Sequence, residues 1–498
     1  MAQTRAGKTI KTTLDSLPYG NPTEEDLHGR VKKAELPQGV TRSMLTRDVV
    51  MIAWPSLLEL ILTQLTSMAD QIMVGRLPGM QGVMALSAVG LSAQPKFMLM
   101  TMIQALNVGA TALVARFRGQ QDRVKTNQVF KQALLLNLIL AAIFMTVGVT
   151  FSEQLVRFIS GNGISEETLK LGVQYLDIQM YGFIPLCITF TVTAALRGIG
   201  DTKLPLIYNT IANVVNLFFN YVMIYGKLGC PAMGVVGASW ATIIGQTVAF
   251  CVAMVVIFNK KHFIYIDLKE KFKFDPTLMK GIVTIGLPSM IEQLFMRAGM
   301  IIYGRTVASL GDVRYATHHV CMSIQSMSFM MGQAFSNAAT TLMGQSLGKR
   351  RYDMASIYMR QTRTLGIIVS LVLASLFVIF RRTIIGWYNS TPEVITLGSG
   401  ILLLIAASQP FQADQFITSG GLRGAGDTRF TAVVTAFTVL GVRSGLGLLF
   451  VRVFHWGLWG AWIAMISDQL VRTGLMVWRY NSGKWKIMAS NRFSKLDN

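Results

Sequence analysis

Charge is scarce in this chain of 498 residues. Only 14% of it is Asp, Glu, Lys or Arg, where an ordinary globular protein carries about 25% because its surface faces water. That shortage, with 52% hydrophobic residues and a mean hydropathy of +0.45, excludes a water-soluble chain of several domains and turns most of the surface towards lipid. Acidic residues are scarcest, 25 against 46 lysines and arginines, for a formal net charge of +21. The excess does not mark a nucleic-acid binder, which gathers its basic residues on one soluble face. Here they sit in short clusters between long apolar runs, the pattern that orients membrane helices. The four cysteines (Cys187, Cys230, Cys251, Cys321) have no CxxC spacing, which excludes a disulfide framework or a zinc site. No HExxH, GxSxG or phosphate-loop pattern is present, so no enzyme class is indicated. His318 and His319 are neighbours on one helix and point apart, which argues against a metal site. No signal-peptide-like stretch occurs in residues 1–45, which read as a polar, soluble tail without expected order.

Beyond the tail, apolar runs long enough to cross about 30 Å of hydrocarbon recur twelve times. They have helical length and no period-two alternation, so the fold class expected is all-α integral membrane with twelve transmembrane helices. The second and eighth are the least apolar. Basic clusters fall after even-numbered spans: Arg116, Arg118 and Arg123 after the second, Lys260, Lys261, Lys269 and Lys273 after the sixth, Lys349 to Arg351 after the eighth. The positive-inside rule then places both termini in the cytoplasm.

The two halves repeat each other. ATALVARFRG (Ala110 to Gly119) matches ATTLMGQSLG (Ala339 to Gly348), and ALRGIGDTK (Ala195 to Lys203) matches GLRGAGDTR (Gly421 to Arg429). PSLLE at Pro55 matches PSMIE at Pro288, and GVVGA at Gly234 matches GLWGA at Gly457. Each half holds six spans, so the repeat is parallel: residues 46–258 and 279–480 are two lobes joined by a basic linker, 259–278, with a basic tail at 481–498. In transporters of parallel repeats the substrate lies between the halves and their rocking alternates its access. In each LRGxGDT loop the glycines end one helix by a tight turn. Asp201 or Asp427 can cap the next helix, leaving Arg197 and Arg423 to face the cytoplasmic surface. Pro55 and Pro288 read either as helix starts or as kinks.

Ionisable groups inside spans are functional candidates because each costs a few kcal/mol. Glu59, Thr63, Thr66 and Asp70 follow steps of four, three and four and share one face of the first span. Asn209, Asn213, Asn216 and Asn220 repeat that spacing in the fifth. A carboxylate with amide oxygens suits a cation; the same amides also serve as glue between membrane helices. The second half has Thr435, Val439, Val442 and Leu446 at the stripe's equivalent positions. It carries instead Glu292, Arg297, Asp414, Arg443 and Asp468, of which only Arg297 and Arg443 read as cations deep in spans. A lone guanidinium needs a partner, and Arg297 is expected to pair with Asp414. The 29 Met and 27 Phe residues suit an adaptable cavity as well as lipid-facing bulk.

The paired LRGxGDT loops, the Pro-containing first and seventh helices, MADQIMVGRLPG (residues 68–79) and QADQF (Gln412 to Phe416) resemble the MATE family, for multidrug and toxic compound extrusion. The resemblance covers about residues 45–480. It implies a V-shaped bundle that exports organic, often cationic, compounds in exchange for Na⁺ or H⁺, with no other cofactor, as a monomer in a prokaryotic cell membrane. In the DinF-like branch a first-helix aspartate and a fifth-helix Asn-xxx-Asp pair form a cation site in the first lobe. Asp70 and Asn216 match it, and Asn220 stands where that branch has a carboxylate. The coupling site implied is thus Asp70, Asn216 and Asn220 with Asn213, Thr66 and Glu59 nearby, and the one metal expected is Na⁺ at Asp70. Asp414 matches the aspartate that NorM-like members use with a seventh-helix glutamate, whose place falls at Met296. Asp414, Glu292, Arg297 and Gln64 are then candidates for a substrate cavity. A flippase of lipid-linked or polar metabolites from the surrounding superfamily stays open as a second reading.

Overall fold

The computed structural model describes residues 11–27, 29–31, 35–78, 80–160, 165–267, 269–270, 272–388 and 391–497. Every regular element among them is helical. Their apolar runs supply the reason: in hydrocarbon each backbone N–H and C=O must be bonded within its own segment, which a helix does. The long helices are α1 (Arg42–Gly75), α2 (Met80–Gly119), α3 (Arg123–Thr150), α4 (Glu166–Tyr181), α5 (Phe183–Gly198), α6 (Lys203–Tyr225) and α7 (Gly234–Phe258), then α8 (Pro276–Ala308), α9 (Asp312–Gly348), α10 (Tyr352–Ile379), α11 (Pro392–Gly424), α12 (Thr428–Val453) and α13 (Gly457–Asn481).

Eight of these are long and apolar enough to cross a membrane, and α4 with α5, bent by 52° at Gly182, makes a ninth. The remaining three, α8, α9 and α13, are long but less apolar, so the eighth span is polar as expected, the second is not, and the seventh and twelfth join the eighth. Buried charges explain two of the three: α8 carries Glu292 and α13 carries Asp468 and Arg472, all buried. Elsewhere the outer faces are apolar; Ile368, Val372, Leu376 and Ile379 of α10 are exposed at helical spacing and form a face for lipid.

Contacts gather the described residues into two compact units: those of 58–110 and 122–282 in one, and those of 11–57, 111–121 and 283–497 in the other. The first packs Ile103, Ala141, Leu176, Met180 and Phe183 between α2, α3, α4 and α5. In the second, Tyr303, Ile324, Phe377, Ile401 and Trp462 form the core. There α9 and α11 approach so closely that a Cβ at Gly420 would lie 2.5 Å from the Ser336 carbonyl oxygen and one at Gly424 would strike that of Thr340. Gly420 and Gly424 are four apart, the small-residue spacing that lets membrane helices touch.

Both LRGxGDT loops turn as expected. Gly200 and Gly426 have φ of 88° and 82°, and Asp201 and Asp427 N–H donate to Leu196 and Leu422 at 2.9 and 2.8 Å. The aspartates then part company. Asp201 Oδ1 accepts from the Leu204 N–H at 3.3 Å, capping α6, whereas Asp427 makes no cap bond and instead pairs with Arg479 at 2.7 Å. Pro55 and Pro288 lie well inside α1 and α8, so the helix-start reading is wrong: upstream polar segments of both runs extend the helices beyond the apolar stretch. The tail also differs from expectation. A short helix, Thr13–Ser16, buries Leu14. The Thr13 N–H donates to Asp48 Oδ2 at 2.7 Å, Asp48 also accepts from the Tyr358 hydroxyl at 2.6 Å, and Asp15 pairs with Arg118 at 3.2 Å. One buried leucine and two polar partners, Asp48 and Arg118, order a segment whose composition alone suggested no order.

Candidate functional site

In the first unit the helix spacing delivers part of what it promised. Asp70 of α1 accepts a hydrogen bond from Asn220 Nδ2 of α6 at 2.5 Å. Asn216, one turn earlier, reaches the same oxygen at 2.9 Å when its amide is turned to satisfy its neighbours, and its carbonyl then accepts from the Thr242 N–H at 3.3 Å. Asn216 and Asn220 are buried. Gly245 makes this possible, because a Cβ there would lie 2.9 Å from Asn216 Cβ and hold α7 away from α6. The Asn220 carbonyl oxygen is buried without a hydrogen-bond partner. A carboxylate inside a span thus meets two buried amides, one of which has an unengaged oxygen, groups of the kind that suit a hard monovalent cation or a carboxyl proton.

The other expected members divide. Glu59 is not part of this cluster: it lies eleven residues from Asp70, about 16 Å along the helix, and is bound by Arg197 Nη2 at 2.9 Å and Asn209 Nδ2 at 2.7 Å. Shared face did not mean shared depth. The Thr66 hydroxyl is spent on the Leu62 carbonyl of its own helix, Asn213 has a buried Nδ2 without a partner, and Gln64 is exposed. Sequence reasoning missed Lys96. This lysine follows Pro95 inside α2, donates to Gln179 of α4, and lies within electrostatic reach of Asp70. The signal was available as the one lysine in an otherwise apolar run; its partners are tertiary.

The second unit repeats the Glu59 arrangement. Glu292 of α8 accepts from Arg423 at 2.7 Å and from the Thr431 and Thr435 hydroxyls at 3.2 and 3.1 Å. Arg423 and Thr435 are the repeat equivalents of Arg197 and Asn209. The two LRGxGDT arginines are therefore not surface cations, as expected, but clasp the carboxylates of α1 and α8. A carboxylate so engaged is a poor candidate for a substrate cavity. The expected pairing of Arg297 with Asp414 gives way to another: Arg363 of α10 grips Asp414 through Nε at 2.5 Å and Nη2 at 2.7 Å. Arg443 and Arg472 both bind Asp468. Three interior cations besides Arg297 and Arg443 were thus overlooked: Lys96, Arg363 and Arg472. None of the three was weighed as an interior charge in the sequence, although each falls within an expected span.

Known proteins place this geometry in a family. The MatE family model matches residues 55–222 and 288–449, the two halves of the internal repeat. The chain is 29% identical over 460 residues to a probable multidrug resistance protein NorM of Thermotoga maritima, an alignment covering 92% of this chain and 95% of that one. It is 30% identical over 439 residues to the multidrug resistance protein MdtK of Yersinia pestis, covering 87% and 94%. Its fold matches an outward-facing multidrug resistance MATE transporter of the MOP superfamily with a TM-score of 0.81 at 21% identity, covering 95% of this chain and all of that one. This chain belongs to the MATE family of multi-pass membrane transporters and is not an enzyme.

Proposed function

We propose that this protein exports organic compounds, drugs among them, in exchange for Na⁺ or H⁺, and that Asp70 with Asn216 and Asn220 is the coupling site. The family supplies the drug-export reading, since both relatives described above are named for multidrug resistance. The observation that carries the coupling is Asp70 itself: an acidic group inside a span, held by two buried amides of another helix. When a proton or Na⁺ neutralises Asp70, the hydrogen bonds from Asn220 and Asn216 weaken, because charge-assisted bonds are about twice as strong as neutral ones. The packing of α1 against α6 then depends on ion occupancy, and alternating access of the two lobes follows from that dependence. Both termini are cytoplasmic in this reading, as the basic clusters between spans require.

The test is transport in vesicles holding purified protein, with Na⁺ and pH gradients imposed separately. A fluorescent drug should move against one gradient and not in its absence. Equal flux with neither gradient would refute ion coupling.

A further inference from the structure

Interior charge in the second unit does not balance. Arg363 and Asp414 neutralise each other, but Arg443 and Arg472 share one carboxylate. Arg443 donates to Asp468 Oδ2 through Nε at 2.9 Å and Nη2 at 2.5 Å, and Arg472 Nη2 reaches Oδ1 and Oδ2 at 2.7 and 2.5 Å. The three side chains are 4%, 5% and 0% exposed. One positive charge is left over in a place where an unbalanced charge costs several kcal/mol.

Donors exceed acceptors there as well. Each guanidinium has five N–H donors and no acceptor. Arg472 Nε is buried with no hydrogen-bond partner, and Arg472 Nη1 faces Met296 Sδ at 3.5 Å, a weak acceptor. The Tyr303 hydroxyl, within electrostatic reach of Arg443, is buried and also has no partner. The backbone marks the same spot: a π-helical turn, Phe437–Arg443, ends on Arg443, a distortion frequent at functional sites. Such a cluster is made for an acceptor with negative charge. Arg472 offers Nη1, held only by a thioether, and an unpartnered Nε on the other edge of the guanidinium, both donors that suit the oxygens of a carboxylate or phosphate.

We propose that Arg443 and Arg472 bind an anionic group, carboxylate or phosphate, of the transported molecule, so that organic anions and zwitterions are substrates rather than simple organic cations. The proposal rests on the transport reading above and names its substrate class. The bound group takes the place of Met296 Sδ beside Arg472 and supplies the missing negative charge.

Benzoate, phenyl phosphate and benzylammonium, one ring with opposite charges, test it by thermal unfolding of the purified full-length protein in neutral detergent at constant ionic strength. Benzoate or phenyl phosphate should raise the melting temperature saturably, by about 3 °C at tenfold excess over Kd, and benzylammonium should not. Arg472→Gln should weaken the anion response at least tenfold, and Arg472→Lys should keep part of it. Met296→Glu supplies a built-in carboxylate, so it should melt above the wild type and no longer respond to benzoate. A response to benzylammonium equal to that to benzoate, an undiminished benzoate response in Met296→Glu, or stabilisation by phosphatidylglycerol alone would overturn the proposal. Gradient-driven flux is measured on the same wild-type preparation. No anion response with flux intact therefore removes the anion site alone and leaves the transport reading standing.

Discussion

Replacing Glu292 by glutamine separates a structural clasp from a substrate ligand. Its carboxylate, with a side chain 4% exposed, is held at 2.7 Å by Arg423, 15% exposed, and by two threonine hydroxyls. Removing one partner of a buried pair costs about 3–5 kcal/mol because the other charge is left unpaired. Glutamine keeps the shape and one acceptor oxygen, which retains a neutral bond to Arg423, so the loss should be about 2–3 kcal/mol; alanine should cost about 4 kcal/mol. The equivalent Glu59→Gln should cost less, about 1–2 kcal/mol, because Arg197 is 22% exposed and water replaces part of what is lost. Equilibrium unfolding in mixed micelles measures the loss, and flux per folded molecule measures function. Glu292→Arg combined with Arg423→Glu should recover at least half of either single loss. Unchanged unfolding with a raised KM in Glu292→Gln would refute the clasp and return Glu292 to the cavity.

Lys96→Met removes a positive charge near Asp70 and should tighten cation or proton binding there roughly fivefold, the effect of about 1 kcal/mol between charges at a distance in a partly hydrated interior; the ion dependence of flux reads it, and Lys96→Arg should not change it. Gly424→Leu places side-chain carbon on the Thr340 carbonyl and should abolish folded, monodisperse protein, while Gly474→Leu, with nothing within 4 Å of its Cβ position, should not. For topology, the native Cys230 is exposed in the loop between α6 and α7 and should react with an impermeant maleimide on intact cells, whereas a cysteine at Lys269 should react only after permeabilisation; the reverse pattern inverts the orientation.

Much of the fold was legible because it rests on local chemistry. The apolar runs became helices, and the repeated LRGxGDT segments became the same positive-φ turn. Helix ends were harder: α1 begins thirteen residues before Pro55, because a polar first turn continues a helix whose apolar part alone is visible. At the site, spacing put Asp70 on one helix face and Asn216 with Asn220 on another, since residues three and four apart share a face; the resemblance joined the three, and the structure brings them together. Spacing says nothing of depth, and so it also drew in Glu59, which binds Arg197 instead. Lys96 and Arg363 stand in plain view in the sequence, but what makes them informative is their partners on other helices; Arg472 pairs with Asp468 one turn before it on α13, and it is the third group, Arg443 of α12, that makes that pair informative. Asp201 and Asp427 show the same limit: identical motifs, one capping a helix and the other paired with Arg479 of α13.

Coupling at Asp70 is tested most directly by Asp70→Asn reconstituted in vesicles beside the wild type, with substrate binding and gradient-driven flux measured on the same preparation. The variant keeps the shape and can still bond Asn220, so it should fold and bind substrate within about threefold of the wild-type affinity, a difference below 1 kcal/mol. Its flux should lose all dependence on the Na⁺ or pH gradient and fall at least tenfold. Wild-type flux in Asp70→Asn, with unchanged Na⁺ and pH dependence, would contradict the assignment.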